Sequence, residues 1–221
     1  MKISRVCSLC LATAFLALLT GIYSLPAEET PSVPRIIFTK TLKGGSPEYT
    51  ALTIDANGKA TYDSHQLPDS PSPRSLQISA RTTAQIFSLA KSLNYFRSVT
   101  LESRHKVANL GLKTLTYESG HETSKVQYNF TENHAAQQLT DLIEKIANVE
   151  ERIAELEYDM KYDHLNLPQS LLLIQQGLDE NNYVEAALMI PTLEEISANP
   201  HFMHLAQSRA LDIVQRIREN K

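Results

Sequence analysis

The chain reads as an α+β protein: a small antiparallel sheet with packed helices, then a long connecting helix and a C-terminal α-helical array. Three observations predict this. Residues 35–130 hold short β-branched and aromatic runs paired around turn residues; residues 131–160 carry one unbroken apolar stripe; residues 168–218 place their apolar residues at helical spacing. With 221 residues, 42% hydrophobic and 21% charged, the composition fits one or two globular domains and excludes a fibrous or disordered chain.

Lys2 and Arg5 precede an apolar run from Val6 through Leu25 that contains no charge, the pattern of an export signal over residues 1–27. Ser24 or Ala27 would end the segment if it is cleaved. The run is also long enough to serve as an uncleaved membrane anchor, so the expected location is periplasmic or extracellular, with or without an N-terminal anchor. Both cysteines, Cys7 and Cys10, fall inside it, so a cleaved chain has no thiol for a disulfide, for catalysis or for a metal. Cleavage would remove two positive charges and no acid, taking the formal net charge from −4 to −6, which disfavours nucleic acid as a partner.

Residues 28–34 read as a tether. The first strand is expected over Arg35 to Thr41 and ends at Gly44-Gly45-Ser46-Pro47. Tyr49 to Ile54 and Lys59 to Tyr62 form a hairpin across Asp55-Ala56-Asn57-Gly58, where Asn57 or Gly58 can take positive φ. Three prolines make residues 65–74 a loop, after which Leu76 and Ile78 resume a short strand. Ser79 is placed to cap a helix over Ala80 to Leu93 whose face is Thr83, Ile86, Phe87, Ala90 and Leu93, with Tyr95 and Phe96 turning back into the same core. Residues 99–109 read as a loop. A second hairpin joins Leu112 to Glu118 and Thr123 to Phe130, completing a sheet of about five strands in an α+β domain over 35–147.

The long helix is expected from a Thr131 cap, with Glu132 in its first turn, to Met160. Its seam is Leu139, Leu142, Ile146, Val149, Ile153, Leu156 and Met160, spaced three and four apart. At 1.5 Å per residue such a helix is roughly 45 Å long, so its far half needs cover beyond the sheet. Leu171, Ile174 and Leu178 of the next helix are the nearest cover in the chain, and a second copy of the long helix is the other. Residues 148–167 carry the seam into a hinge, and 168–221 form a helical hairpin-type domain. There Pro168 opens a helix, a second runs from Tyr183 to about Ser197 and must kink or shift at Pro191, and a third carries Phe202, Leu205, Ala206, Ala210, Ile213, Val214 and Ile217.

The run from Gly177 to Ala187 resembles one unit of a tetratricopeptide-type repeat within residues 168–218. Asn181 stands at its left-handed turn position, Tyr183 at its aromatic, Ala186 at its small residue and Pro200 at its closing proline, though Pro191 has no place in that pattern. This resemblance implies a protein-binding or oligomerising surface. Residues 35–147 resemble the secreted emfourin-type protease-inhibitor modules and related bacterial domains. The likeness lies in strand order, the Gly44-Gly45 loop, the Leu52-Thr53-Ile54-Asp55 and Gly58 hairpin, Leu76-Gln77-Ile78-Ser79 entering a helix, Tyr95-Phe96 after it, and Leu115-Thr116-Tyr117 before a closing helix. It implies inhibition of a thermolysin-like metalloprotease and assigns no inhibitory residue.

Motifs of nucleophilic, metalloprotease and phosphate-binding sites are missing from the sequence. His201 and His204, three apart, lack further ligands at helical spacing, and the dense stretch Tyr158, Asp159, Tyr162, Asp163, His164 reads as a hinge. The expectation is therefore an exported, non-enzymatic interaction or scaffold protein without a cofactor, using the heptad helix and C-terminal helices to bind a protein partner or a second copy. Ile153, Leu156, Met160 and Tyr183 are the candidate contacts. Membrane contact is expected only through residues 6–25 if they are uncleaved. The alternative is a secreted protease inhibitor acting through the α+β domain.

Overall fold

Alternation of apolar and polar residues builds the sheet. In a computed structural model that describes residues 33–219, six antiparallel strands lie in the order β4-β3-β2-β1-β5-β6. They are β1 (Arg35–Thr41), β2 (Tyr49–Asp55), β3 (Lys59–His65), β4 (Arg74–Gln77), β5 (Leu112–Ser119) and β6 (Glu122–Tyr128). Because side chains alternate with a period of two, the register Tyr62↔Leu52↔Phe38↔Leu115↔Val126 carries one buried row across five strands. The short strand expected at Leu76 and Ile78 forms as β4 and pairs with β3 as an edge, so the sheet has six strands rather than about five.

Each turn has a local cause. Asp55 Oδ1 accepts the N–H groups of Asn57 (2.8 Å) and Lys59 (2.9 Å), and Gly58 sits at φ +79° with Ile78 O only 2.6 Å from where a Cβ would stand. Glycine alone fits that position. Lys113 interrupts the apolar alternation of β5 on the inner face; it is buried, and its ammonium reaches the carbonyls of Asn129 (3.1 Å) and Leu110 (3.4 Å).

Helix α1 (Ala80–Ser92) begins as the sequence predicts: the Ser79 hydroxyl accepts the Thr82 N–H at 3.3 Å, and Ile86 and Ala90 are fully buried. Phe96 is buried and Tyr95 stacks on Tyr117 at 4.3 Å. Helix α2 (His134–Tyr162) starts two residues later than expected. Asn133, not Thr131, is its cap, accepting the Ala136 N–H at 3.1 Å; Thr131 is buried and its hydroxyl accepts the Asn133 N–H instead. Glu132 therefore precedes the cap and leaves no acid in the first turn. An Asn side chain is the stronger cap of the two candidates, which decides the start.

Helix α2 crosses the sheet diagonally. Thr140 meets Tyr128 on β6, Glu144 pairs with Lys40 on β1 at 2.9 Å, and Glu157 receives a bidentate pair from Arg74 on β4 at 2.7 and 2.8 Å. Six strands about 4.8 Å apart span about 24 Å, whereas a helix of this length runs to roughly 44 Å, so its far end overhangs. Two cores result, and α2 carries both. The first runs from Ile36 to Ala147 over the sheet, α1 and the near half of α2; the second runs from Val149 to Ile217. Residues 33–219 fall within a single compact unit.

Helix α3 (Leu167–Asp179) has Pro168 in its first turn, where a missing N–H costs nothing. The helix expected from Tyr183 to Ser197 does not form. Residues 183–185 are irregular, Ala186–Met189 make a single 3₁₀ turn, and α4 (Ile190–Ala198) begins there with Pro191 in its first turn. Proline inside a helix loses a hydrogen bond and clashes with the preceding turn, so the helix starts at it instead of kinking. Helix α5 (His204–Glu219) closes the second core with Ala206, Ala210, Ile213, Val214 and Ile217, while Leu205 faces solvent. His201 lies in the turn before α5 and His204 is the first residue of the helix, so the two are not on one helix. No described helix is long and apolar enough to cross a membrane; the apolar run 6–25 and both cysteines lie outside the described residues.

Candidate functional site

Where the second core meets α1 and α2, the chain leaves an open groove of about 900 Å³. One wall is α1, where Arg81 and Gln85 sit four residues apart on one face. The floor comes from α2, where Gln138, Asp141, Leu142 and Lys145 follow at helical spacing. Residues 178–187 and the end of α5 make the other wall.

Within this wall residues 180–185 have no regular structure, and their course is set by how α3 ends. Asn181 takes φ +55°, the Asn182 N–H donates to Gly177 O at 2.8 Å, and the chain doubles back so that Tyr183 lies over Gly177. A Cβ at Gly177 would collide with the Tyr183 ring, so this close approach requires glycine. Three contacts then fix residues 182–185 across the molecule. Asn148 Nδ2 donates to Asn182 O (3.3 Å), the Val184 N–H donates to Lys145 O (3.4 Å), and the Ser79 hydroxyl donates to the Glu185 carboxylate (2.6 Å). Glu185, at φ +66°, holds a strained conformation for a residue with a Cβ.

Charge in the groove is unevenly satisfied. Asp141 pairs with Lys145 at 3.1 Å and Glu185 is held by Ser79. Among the described residues, Arg81 has no ion-pair or hydrogen-bond partner, and neither do the side-chain amides of Gln85, Gln138 and Asn181. No acid lies in the first turn of α1 to offset the positive end of that helix. Burial pushes the Tyr183 phenol above its ordinary range, with Arg152 opposing the shift and Glu155 adding to it.

The expected contact residues separate. Tyr183 borders the groove and is half-buried. Ile153 and Leu156, 5% and 0% exposed, belong to the second core with Leu171 and Ile174, and Met160 packs partly against the same cluster. Ile153 and Leu156 are thus covered by the chain's own helices and offer no exposed surface as contacts, whereas Met160 stays partly exposed. The linked helices remove this stripe from water without the entropic cost of bringing in a second chain, so they fold back over it. Arg81, Gln85 and Gln138 were not singled out by the sequence. Their spacing on each helix is readable, but nothing local says that the two helices border one cleft.

The hinge stretch also divides. Asp159 is 2% exposed, accepting hydrogen bonds from Ser170 (2.6 Å) and Asn166 (3.1 Å), and so locks the start of α3. Tyr158 and Tyr162 remain exposed, their rings 5.1 Å apart. Among the described residues no group of three or more His, Cys, Asp or Glu is placed to hold a metal ion. No protein-family model matches this chain, and a search of curated proteins gives no match either.

Proposed function

We propose that this is an exported, non-enzymatic interaction protein that receives a segment of another protein chain in the groove between α1, α2 and residues 178–187. One observation carries the reading: the groove combines apolar lining at Leu142, Val184 and Ala187 with side-chain amides that have no partner among the described residues. Concave sites between packed elements, with apolar lining and a few polar groups, are where proteins commonly bind ligands. Side-chain amides pair well with the donors and acceptors of a peptide backbone. The tetratricopeptide-type resemblance of residues 168–218 supports the same use of the C-terminal helices.

A photo-crosslinking residue placed at Gln138 or Asn181 in the full exported chain, with Lys125 on β6 as the control, tests the proposal. Crosslinks to one partner chain from the two groove positions and none from position 125 are expected. Equal crosslinking from all three, or none from the groove, overturns it. The alternative reading, a protease inhibitor acting through the sheet domain, predicts inhibition of a thermolysin-like metalloprotease that Gln138→Arg leaves unchanged.

A further inference from the structure

Independently of the groove, we infer that His65 is a proton-dependent clasp for the proline-rich loop of residues 66–73: its protonated imidazole holds the Asp63 carboxylate, and that carboxylate holds the loop at Ser72. Asp63 and His65 lie two apart on β3 and, with Tyr62 in the buried row, both point to the sheet face away from α2. His65 Nδ1 stands 3.2 Å from Asp63 Oδ2, and the two side chains are only 11% and 13% exposed. The atoms are at ion-pair distance but do not meet at a hydrogen-bonding angle, and Nδ1 is buried without a hydrogen-bond partner. Such a contact is Coulombic rather than directional. It gives a neutral imidazole little and leaves its buried Nδ1 unsatisfied, whereas it gives a charged imidazole a counter-ion.

Burial of the ring opposes its charge, and two neighbours favour it. Among the described residues no Lys or Arg pairs with Asp63, so His65 supplies the counter-charge of that carboxylate. Tyr49, the cross-strand partner of His65 on β2, places its ring 4.9 Å from the imidazole, where an aromatic face attracts a cation. Burial and then Asp63 push the Tyr49 phenol up, so it stays neutral where histidines titrate. Glu48 and Asp69 are the other acids on the segments joined here; Glu48 accepts the N–H groups of Gly44 (2.6 Å) and Leu67 (3.3 Å). Pro68, Pro71 and Pro73 have no N–H to give, so the loop is tied by few bonds. Gln66 and Leu67 fix its start, and the Ser72 N–H, donating to Asp63 Oδ1 at 2.9 Å, fixes its end just before β4. The clasp is closed while His65 is charged and loosens as pH rises through the range, about 5 to 8, where histidines lose their proton.

Water-exchange NMR on the full chain tests this, with the Ser72 amide rate taken relative to an unstructured chain at the same pH. Protection of that amide should fall roughly fivefold between about pH 5.5 and about pH 8, with a midpoint that coincides with the titration of the His65 ring protons. His65→Gln should hold Ser72 at the parent's high-pH level throughout, while amides of β1 and β5 stay protected. Asp63→Asn should move the His65 ring titration to lower pH, because the imidazolium loses its counter-ion. Ser72 protection that does not change with pH in the parent overturns the clasp whatever the variants do. The same pH dependence in His65→Gln also overturns it, since another group, such as Glu48 or Asp69, would then hold the loop.

Discussion

Glu150 is a carboxylate buried where an acid is disfavoured. It is 4% exposed on α2, and Arg74 Nε approaches its carboxylate at 3.5 Å while the rest of that guanidinium is committed to Glu157. Burial raises its pKa above 4.5, Arg74 partly opposes the shift, and Glu157 adds to it. A raised carboxyl pKa means that folding favours the protonated form. Its contribution to stability is fully present below pH 4.5, the ordinary value, and is lost as pH rises through the raised folded value. Replacing Glu150 by Gln removes the charge and keeps the Arg74–Glu157 pair. The variant should equal or exceed the parent in stability at pH 7 by up to roughly 1 kcal/mol, and the difference should vanish below the ordinary carboxyl range. Urea unfolding at a series of pH values measures this; a variant less stable at neutral pH, and equally so in acid, would mean that Glu150 acts by packing alone.

At the scale of elements, α2 decides most. It serves the sheet with Leu139, Leu142 and Ile146 and the helical array with Val149, Ile153 and Leu156. Truncating a buried Leu or Ile to Ala costs about 2–5 kcal/mol through lost transfer energy and the cavity left behind. Ile153→Ala with Leu156→Ala should therefore loosen α3, α4 and α5 while β1, β2 and β5 keep their pairing. Amide exchange would report this as lost protection in α5 beside retained protection in β1. Sedimentation should be unchanged, because these side chains are covered within the chain; a dimer that became a monomer in this variant would make α2 an oligomerisation element instead. The start of α2 at Asn133 and of α4 at Ile190 follow from local chemistry, one from cap strength and the other from proline.

At the scale of the molecule, the two cores are joined by a continuous helix and by three pins that cross between them: Asn148 to Asn182, Val184 to Lys145 and Ser79 to Glu185. The Arg74–Glu157 pair ties the sheet edge to the far half of α2 as well. A chain linked this way should unfold in one calorimetric transition whose measured and van't Hoff enthalpies agree. Two resolved transitions would show that the cores are separate cooperative units and that the groove between them opens before either melts. The sequence by itself determined the α+β class, both hairpins, the Ser79 cap, the heptad seam and the breaks at Pro168 and Pro200, because each rests on residues within a turn or two of one another. It placed a short strand at Leu76 and Ile78 while totalling about five strands, and it ran one helix from Tyr183 to Ser197 with a kink or shift at Pro191, where the chain instead starts a new helix. Only the tertiary structure decided that Ile153 and Leu156 are covered by the chain itself and that Arg81, Gln138 and Tyr183 border one cleft. Residues far apart in sequence acquire neighbours through packing, and the hydrophobic pattern that drives the packing says which faces are buried without saying which faces meet.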